Sequence, residues 1–231
     1  MYAKFFKRVL DFVLSVAALI VLSPFLLALT LVGAIAMQGN PFFVQYRPGK
    51  KDKNGKEKIF KLIKFRTMSN AKDSNGNLLP DDQRLGSYGK FIRSTSLDEL
   101  PSLLNIALGH ISIVGPRPQL VRDMTFMTTE QRRRHDVRPG LTGLAQVNGR
   151  NNITWERKFE YDLQYIDSGI SFFSDMKIIF RTVGKVLKRS DTVREGTVSD
   201  MDFGDWLMSE GKVDRETYDQ KQKEARELLG V

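Results

Sequence analysis

Between Phe12 and Met37 the sequence carries no charged residue, and the helix-breaking pair Ser23-Pro24 sits near the middle of that run. The stretch Val16-Ala17-Ala18-Leu19-Ile20-Val21-Leu22, continued by Phe25-Leu26-Leu27-Ala28-Leu29, has the apolarity and length of a membrane helix. Proline removes a backbone hydrogen bond and kinks a helix, while serine can satisfy the carbonyl that is freed. Each half is then roughly 11 to 13 residues, or about 16 to 20 Å at ~1.5 Å per residue, against a hydrocarbon core of about 30 Å. Both flanks are basic, with Lys4, Lys7 and Arg8 before the run and Arg47, Lys50 and Lys51 among the cations after it. The positive-inside rule keeps both ends in the cytoplasm. A re-entrant helix hairpin over 1–40, broken at Ser23 and Pro24, meets both constraints. A kinked single span is the alternative.

The remainder reads as one body over 41–198 and an acidic tail over 199–231. Pro41-Phe42-Phe43-Val44-Gln45 and Ile59-Phe60-Lys61-Leu62-Ile63-Lys64-Phe65 suggest two strands around a lysine-rich turn, and 69–82 an exposed loop. Over 172–189, Phe173, Met176, Phe180, Val183 and Leu187 share one helical face, and Lys177, Arg181, Lys185 and Lys188 the other. Such a helix suits an anionic membrane surface or a core with a solvated basic face. Residues 217–228 read as a charged, solvent-facing helix. The fold class expected is α+β, mainly helical, with a small sheet and interfacial amphipathic helices.

A formal charge of +9 points to an anionic partner. No basic patch with interleaved aromatics has the spacing of a nucleic-acid module, so lipid or a phosphorylated substrate is favoured. Cysteine is absent, which excludes thiolate metal sites and cysteine nucleophiles. His110 and His135 are the only histidines, so catalysis falls to Asp, Glu, Lys and Arg.

Within this basic chain, Ser94-Thr95-Ser96-Leu97-Asp98-Glu99-Leu100-Pro101 places two carboxylates side by side. Ser96 with Glu99 has the spacing of a capping box. Pro101 has no N–H to be capped, which leaves Asp98 available, and a helix N-terminus would lower its pKa and keep it ionised. Arg117 lies between two prolines in Gly115-Pro116-Arg117-Pro118, a rigid setting that suits anion recognition and an ordinary loop alike. In 138–150, glycines at 140, 143 and 149 permit close backbone approach, and Arg138 and Arg150 bracket them as potential phosphate ligands.

Several of these segments together resemble the bacterial sugar transferases that act on polyprenyl phosphate, the small monotopic phosphoglycosyl transferases. The residues are Lys7-Arg8 with Asp11, Ser23-Pro24, Lys64-Phe65-Arg66-Thr67-Met68, Ser96 to Pro101, Val114 to Pro118 and Arg138 to Gly143. The resemblance covers 1–196 and leaves out the tail. It implies transfer of a sugar 1-phosphate from a UDP-sugar to undecaprenyl phosphate, with release of UMP, through a covalent intermediate on Asp98. It also implies Mg²⁺ near Asp98 and Glu99, and phosphate contacts from Lys64, Arg93, Arg117 and Arg150. Asp162 and Asp175 match supporting acidic positions. The run Asn148-Gly149-Arg150-Asn151 leans toward an N-acetylated amino sugar. The implied location is the cytoplasmic face of the bacterial inner membrane, with anionic lipid and a second copy of the chain as further possible partners.

Overall fold

The computed structural model describes residues 1–149, 153–188 and 201–230. After a π-helical turn at Tyr2–Phe6 come α1 (Lys7–Val21) and α2 (Ser23–Ala36). Pro24 stands in the first turn of α2, where a missing N–H costs nothing, and Ser23 Oγ donates to the Ile20 carbonyl at 2.8 Å. The two segments, Tyr2–Val21 and Ser23–Ala36, bend by 66° at this point. No single helix among the described residues is long and apolar enough to cross a membrane.

The body starts with a hairpin of β1 (Phe42–Lys51) and β2 (Glu57–Phe65), antiparallel with Phe42 opposite Phe65. The short helices α3 (Asp81–Arg84), α4 (Ser87–Ser94) and α5 (Ser102–Ala107) follow, with a 3₁₀ turn at Leu97–Glu99 between the last two. Strand β3 (Ser112–Val114) leads to α6 (Val121–Met124), a 3₁₀ stretch at Gln131–Asp136, and β4 (Gly140–Thr142). β4 pairs in parallel with β3. Helices α7 (Leu144–Val147), α8 (Trp155–Asp167), α9 (Phe172–Lys188), α10 (Phe203–Ser209) and α11 (Arg215–Leu229) complete the order. The chain is mainly helical with two small sheets, as the sequence suggested. The boundary expected at 198 falls outside the described residues.

The Lys7-Arg8 and Asp11 motif fastens the bent helix pair to the body. Arg8 donates to the carbonyls of Ile106 and Ala107 at 2.7 Å each, satisfying the C-terminal end of α5. Buried Asp11 accepts from Ser112 Oγ at 2.6 Å and from the Ile113 N–H at 3.0 Å, fixing β3. Lys7 pairs with Asp175 on α9 at 2.5 Å. Further along, Leu26 and Leu29 of α2 pack in one apolar cluster with Phe65, Ile92, Leu97 and Leu100. Helix α2 therefore rests directly on the residues flanking Asp98 and Glu99.

Glycine is required where β3 and β4 meet. A Cβ at Gly140 would lie 2.1 Å from the Gly115 nitrogen, and one at Gly143 2.1 Å from the Gly115 oxygen. The glycines of this segment thus serve packing against the loop that carries Arg117.

Of the two settings open to α9 the structure shows the one with its apolar stripe outward, and it corrects the expectation for α11. The apolar stripe on α9 points outward: Phe173 is 83% exposed and Leu187 79%, while Asp175 and Ile178 face the body. α11 does not merely face solvent, because Ala225 is buried and the helix packs on α6. The tail is also tied down through Phe203, which joins Met127, Trp155 and Phe159 in a buried cluster and donates its N–H to Asp123 at 2.9 Å.

Candidate active site

Asp98 and Glu99 lie on the 3₁₀ turn, with Ser96 before them in the left-handed region at φ 56°. The capping box expected from Ser96 and Glu99 does not form: no side chain caps this turn, and α5 starts only at Ser102. Glu99 instead turns into the body, where its Oε1 accepts from Lys64 Nζ at 2.9 Å and Arg117 Nη2 at 2.8 Å. β2 supplies Lys64 and the Pro116–Pro118 segment supplies Arg117, so three distant stretches of sequence converge on one carboxylate.

Asp98 differs from the expectation that a helix end lowers its pKa. Burial raises it, the neighbouring Glu99 raises it further, and Lys64, Arg117 and Arg93 oppose the rise. The physical reason is that the turn is short and half-buried, so loss of water around the Asp98 carboxyl outweighs any helix-end field. Burial likewise pushes Lys64 down, with Glu99 opposing.

The two carboxylates line different cavities. Asp98 lines a cavity of about 420 Å³ whose wall carries five cations, Arg47, Lys64, Arg66, Arg84 and Arg93. Arg93 is aimed by its Nε bond to Thr67 Oγ1 at 2.9 Å. That contact is possible because α4 lies hard against this segment: a Cβ on Gly89 would be 1.9 Å from the Thr67 carbonyl. Glu99 lines a separate, apolar groove of about 250 Å³ beside α9. A small pocket lined by Arg47, Lys64, Glu99 and Arg117 shares walls with both.

A family model described as "Bacterial sugar transferase" matches residues 2–189. The chain belongs to the bacterial sugar transferase family. It is 48% identical over 181 residues to the uncharacterized sugar transferase EpsL of Bacillus subtilis (strain 168), covering 78% of this chain and 87% of that one. It is 38% identical to the exopolysaccharide production protein PSS of Rhizobium leguminosarum bv. phaseoli, over 79% of this chain and 96% of that one. With the UDP-glucose:undecaprenyl-phosphate glucose-1-phosphate transferase of Klebsiella pneumoniae it shares 40% identity over 78% of its own length. It spans only 40% of that longer relative.

In this sugar transferase, Lys64, Arg93, Arg117, Asp98 and Glu99 come together as the sequence grouped them. Arg138 does not join them. Its Nε donates to the Gly109 carbonyl at 2.9 Å, and it lines another cavity with Lys7, Arg8 and Asp11, because the β3–β4 pairing turns it toward α1. Arg150 lies outside the described residues. Asp162 and Asp175 serve as ties. Asp175 accepts from Tyr2 at 2.8 Å and Tyr165 at 2.7 Å besides Lys7. Asp162 meets Arg134 at 2.6 Å in a fully buried pair.

Arg47 is the residue that sequence reasoning missed. It donates to the Pro118 carbonyl at 3.1 Å, its buried Nε has no hydrogen-bond partner, and it faces both the cationic cavity and the small pocket. Burial and the nearby Arg117 guanidinium push its pKa down to about 10. The signal available was strand alternation, since Phe43, Gln45 and Arg47 all line the same cavity at a spacing of two.

No group of three or more acidic or histidine side chains suited to a metal occurs among the described residues. Mg²⁺ needs less, because it commonly takes one or two carboxylates and completes its shell with water and substrate phosphate. Asp98 at the cavity wall can supply one such carboxylate, whereas Glu99, expected as the second, is engaged by Lys64 and Arg117 and lines the other groove.

Proposed function

We propose that the chain transfers a sugar 1-phosphate from a UDP-sugar to undecaprenyl phosphate, releasing UMP and forming an undecaprenyl-diphosphate sugar. The observation that carries this reading is Asp98 on the wall of a cavity with five cations. A nucleotide sugar brings a diphosphate, and guanidinium groups recognise phosphate oxygens with planar, paired donors. Names of relatives such as the Klebsiella pneumoniae transferase point to the same chemistry.

An Asp98 oxygen attacks the phosphorus that bears the sugar, forming an acyl phosphate while the bond to the bridging oxygen breaks and UMP leaves. An oxygen of undecaprenyl phosphate then attacks that phosphorus and returns the Asp98 carboxylate. Lys64, Arg93, Arg117 and Arg47 hold the phosphate oxygens, and Glu99 keeps Lys64 and Arg117 in place. Asp98 would hold Mg²⁺, which would neutralise the diphosphate.

The bend at Ser23-Pro24, the basic flanks and the outward apolar residues of α9 support a monotopic arrangement on the cytoplasmic face of the membrane. An acceptor whose phosphate stays at the surface is met at that depth.

UMP release from a panel of UDP-sugars, with Mg²⁺ and undecaprenyl phosphate, tests the reading. Release with one donor, lost in Asp98→Asn together with the phosphosugar adduct detected by mass spectrometry, is the expected outcome. Full turnover in Asp98→Asn removes the nucleophile, and no release with any donor leaves a membrane-anchored binding protein.

A further inference from the structure

The apolar groove beside Glu99 has a composition unlike the rest of the site. Leu100, Ile113 and Leu141 line it together with Ile179, Val183 and Val186 of α9, and its charged lining residues are Glu99, Arg117 and Lys185. Val183 is 51% exposed and Val186 37%, so the groove opens on solvent along α9. One turn to either side of Val183, Phe180 and Leu187 continue the exposed apolar stripe. The groove thus joins charged residues at the reacting site to a face that no described residue covers.

We infer that this groove binds the first isoprene units of the polyprenyl acceptor, with its phosphate at Arg117. The inference rests on the transferase reading and assigns the acceptor side of that site. Charge complementarity selects the occupant: an apolar chain with one anionic head matches hydrophobic walls on which Arg117 and Lys185 outnumber the single carboxylate, Glu99. The donor is too polar for such walls, whereas the Asp98 cavity is lined by cations. The small pocket lined by Arg47, Lys64, Glu99 and Arg117 joins groove to cavity, so a phosphate held at Arg117 can reach across Glu99 into the position that UMP vacates. In-line attack on the phospho-aspartate requires that position, opposite the Asp98 oxygen. A bulk phospholipid would fill the groove with equal apolarity but would not give dependence on acceptor concentration.

Val183→Trp and Val186→Trp fill the groove from partly exposed positions, where a larger side chain is accommodated without unfolding. Steady-state kinetics in detergent micelles should show KM for undecaprenyl phosphate raised about tenfold, with KM for the UDP-sugar unchanged. With a short-chain prenyl phosphate as acceptor the two variants should approach wild type. An unchanged KM for undecaprenyl phosphate overturns the assignment, as does an equal loss toward donor and acceptor. An effect that tracks added phospholipid instead of acceptor also overturns it. Absence of UMP release by wild type with every UDP-sugar sinks the transferase reading itself, a result separable from these.

Discussion

Arg134 donates from Nη2 to the main-chain carbonyl of Arg117 at 2.6 Å, and the same nitrogen meets Asp162 at 2.6 Å. Arg134 is 1% exposed and stacks over Phe159, so α8 reaches the site through a buried cation. Removing one partner of a buried pair costs about 3–5 kcal/mol, because the other charge is left alone. Asp162→Ala should lower unfolding free energy by about that amount in a denaturant titration. Arg134→Lys keeps the charge and loses the planar fork, and should reduce kcat/KM about tenfold, a loss comparable to one hydrogen bond to a charged group. Unchanged kcat/KM alongside lower stability would restrict Arg134 to a structural role.

Arg47 should act on donor binding. Replacing it with Gln removes a cation that faces the Asp98 cavity but keeps some hydrogen bonding to the Pro118 carbonyl. KM for the UDP-sugar is expected to rise about tenfold with a smaller change in kcat, in line with a charged hydrogen bond of about 1.5–3 kcal/mol. A change confined to the acceptor's KM would contradict this.

The pair of His135 and Glu57 predicts acid sensitivity. Glu57 is held well below the usual carboxylate range by its bonds to His135 and Arg132, against the opposing effect of burial. As an anion it can only accept, so His135 Nδ1 donates to it at 3.2 Å. Burial depresses His135 from 6.5 to about 4. A depressed histidine pKa makes the folded state bind fewer protons than the unfolded one, so stability is complete above 6.5 and falls as pH drops toward 4. The loss is about 3 kcal/mol for this group. Melting midpoints taken between neutral pH and acid should fall in wild type, and less steeply in His135→Gln.

The topology has a direct test, since the chain contains no cysteine. Lys4→Cys and Gln38→Cys place a single thiol on either side of the hairpin. A re-entrant arrangement keeps both from an impermeant maleimide in intact cells and exposes both after lysis. Labelling of one of the two from outside would establish a crossing.

The β1–β2 hairpin, the extent of α9 and the break at Ser23-Pro24 were legible because each depends on local pattern: alternation, helical periodicity and a missing N–H. The pairing of Asp98 with Glu99 was visible for the same reason. Arg138 was misplaced because its partner, the Gly109 carbonyl, belongs to a loop that sequence spacing cannot bring near. Arg47 was read as a flanking charge because nothing local shows that β1 lines a cavity.

By itself the sequence determined a broken apolar run, basic flanks and an acidic pair in a chain without cysteine. Those properties are carried by residue type and short spacing, and folding does not alter them. Tertiary structure alone decided that Glu99 engages Lys64 and Arg117 instead of capping a helix, and that Asp98 opens on cations while Glu99 borders an apolar groove. It also decided that Arg134 is buried against Asp162 at the back of the site. Each depends on long-range packing, where a charge removed from water takes whichever partner the fold presents.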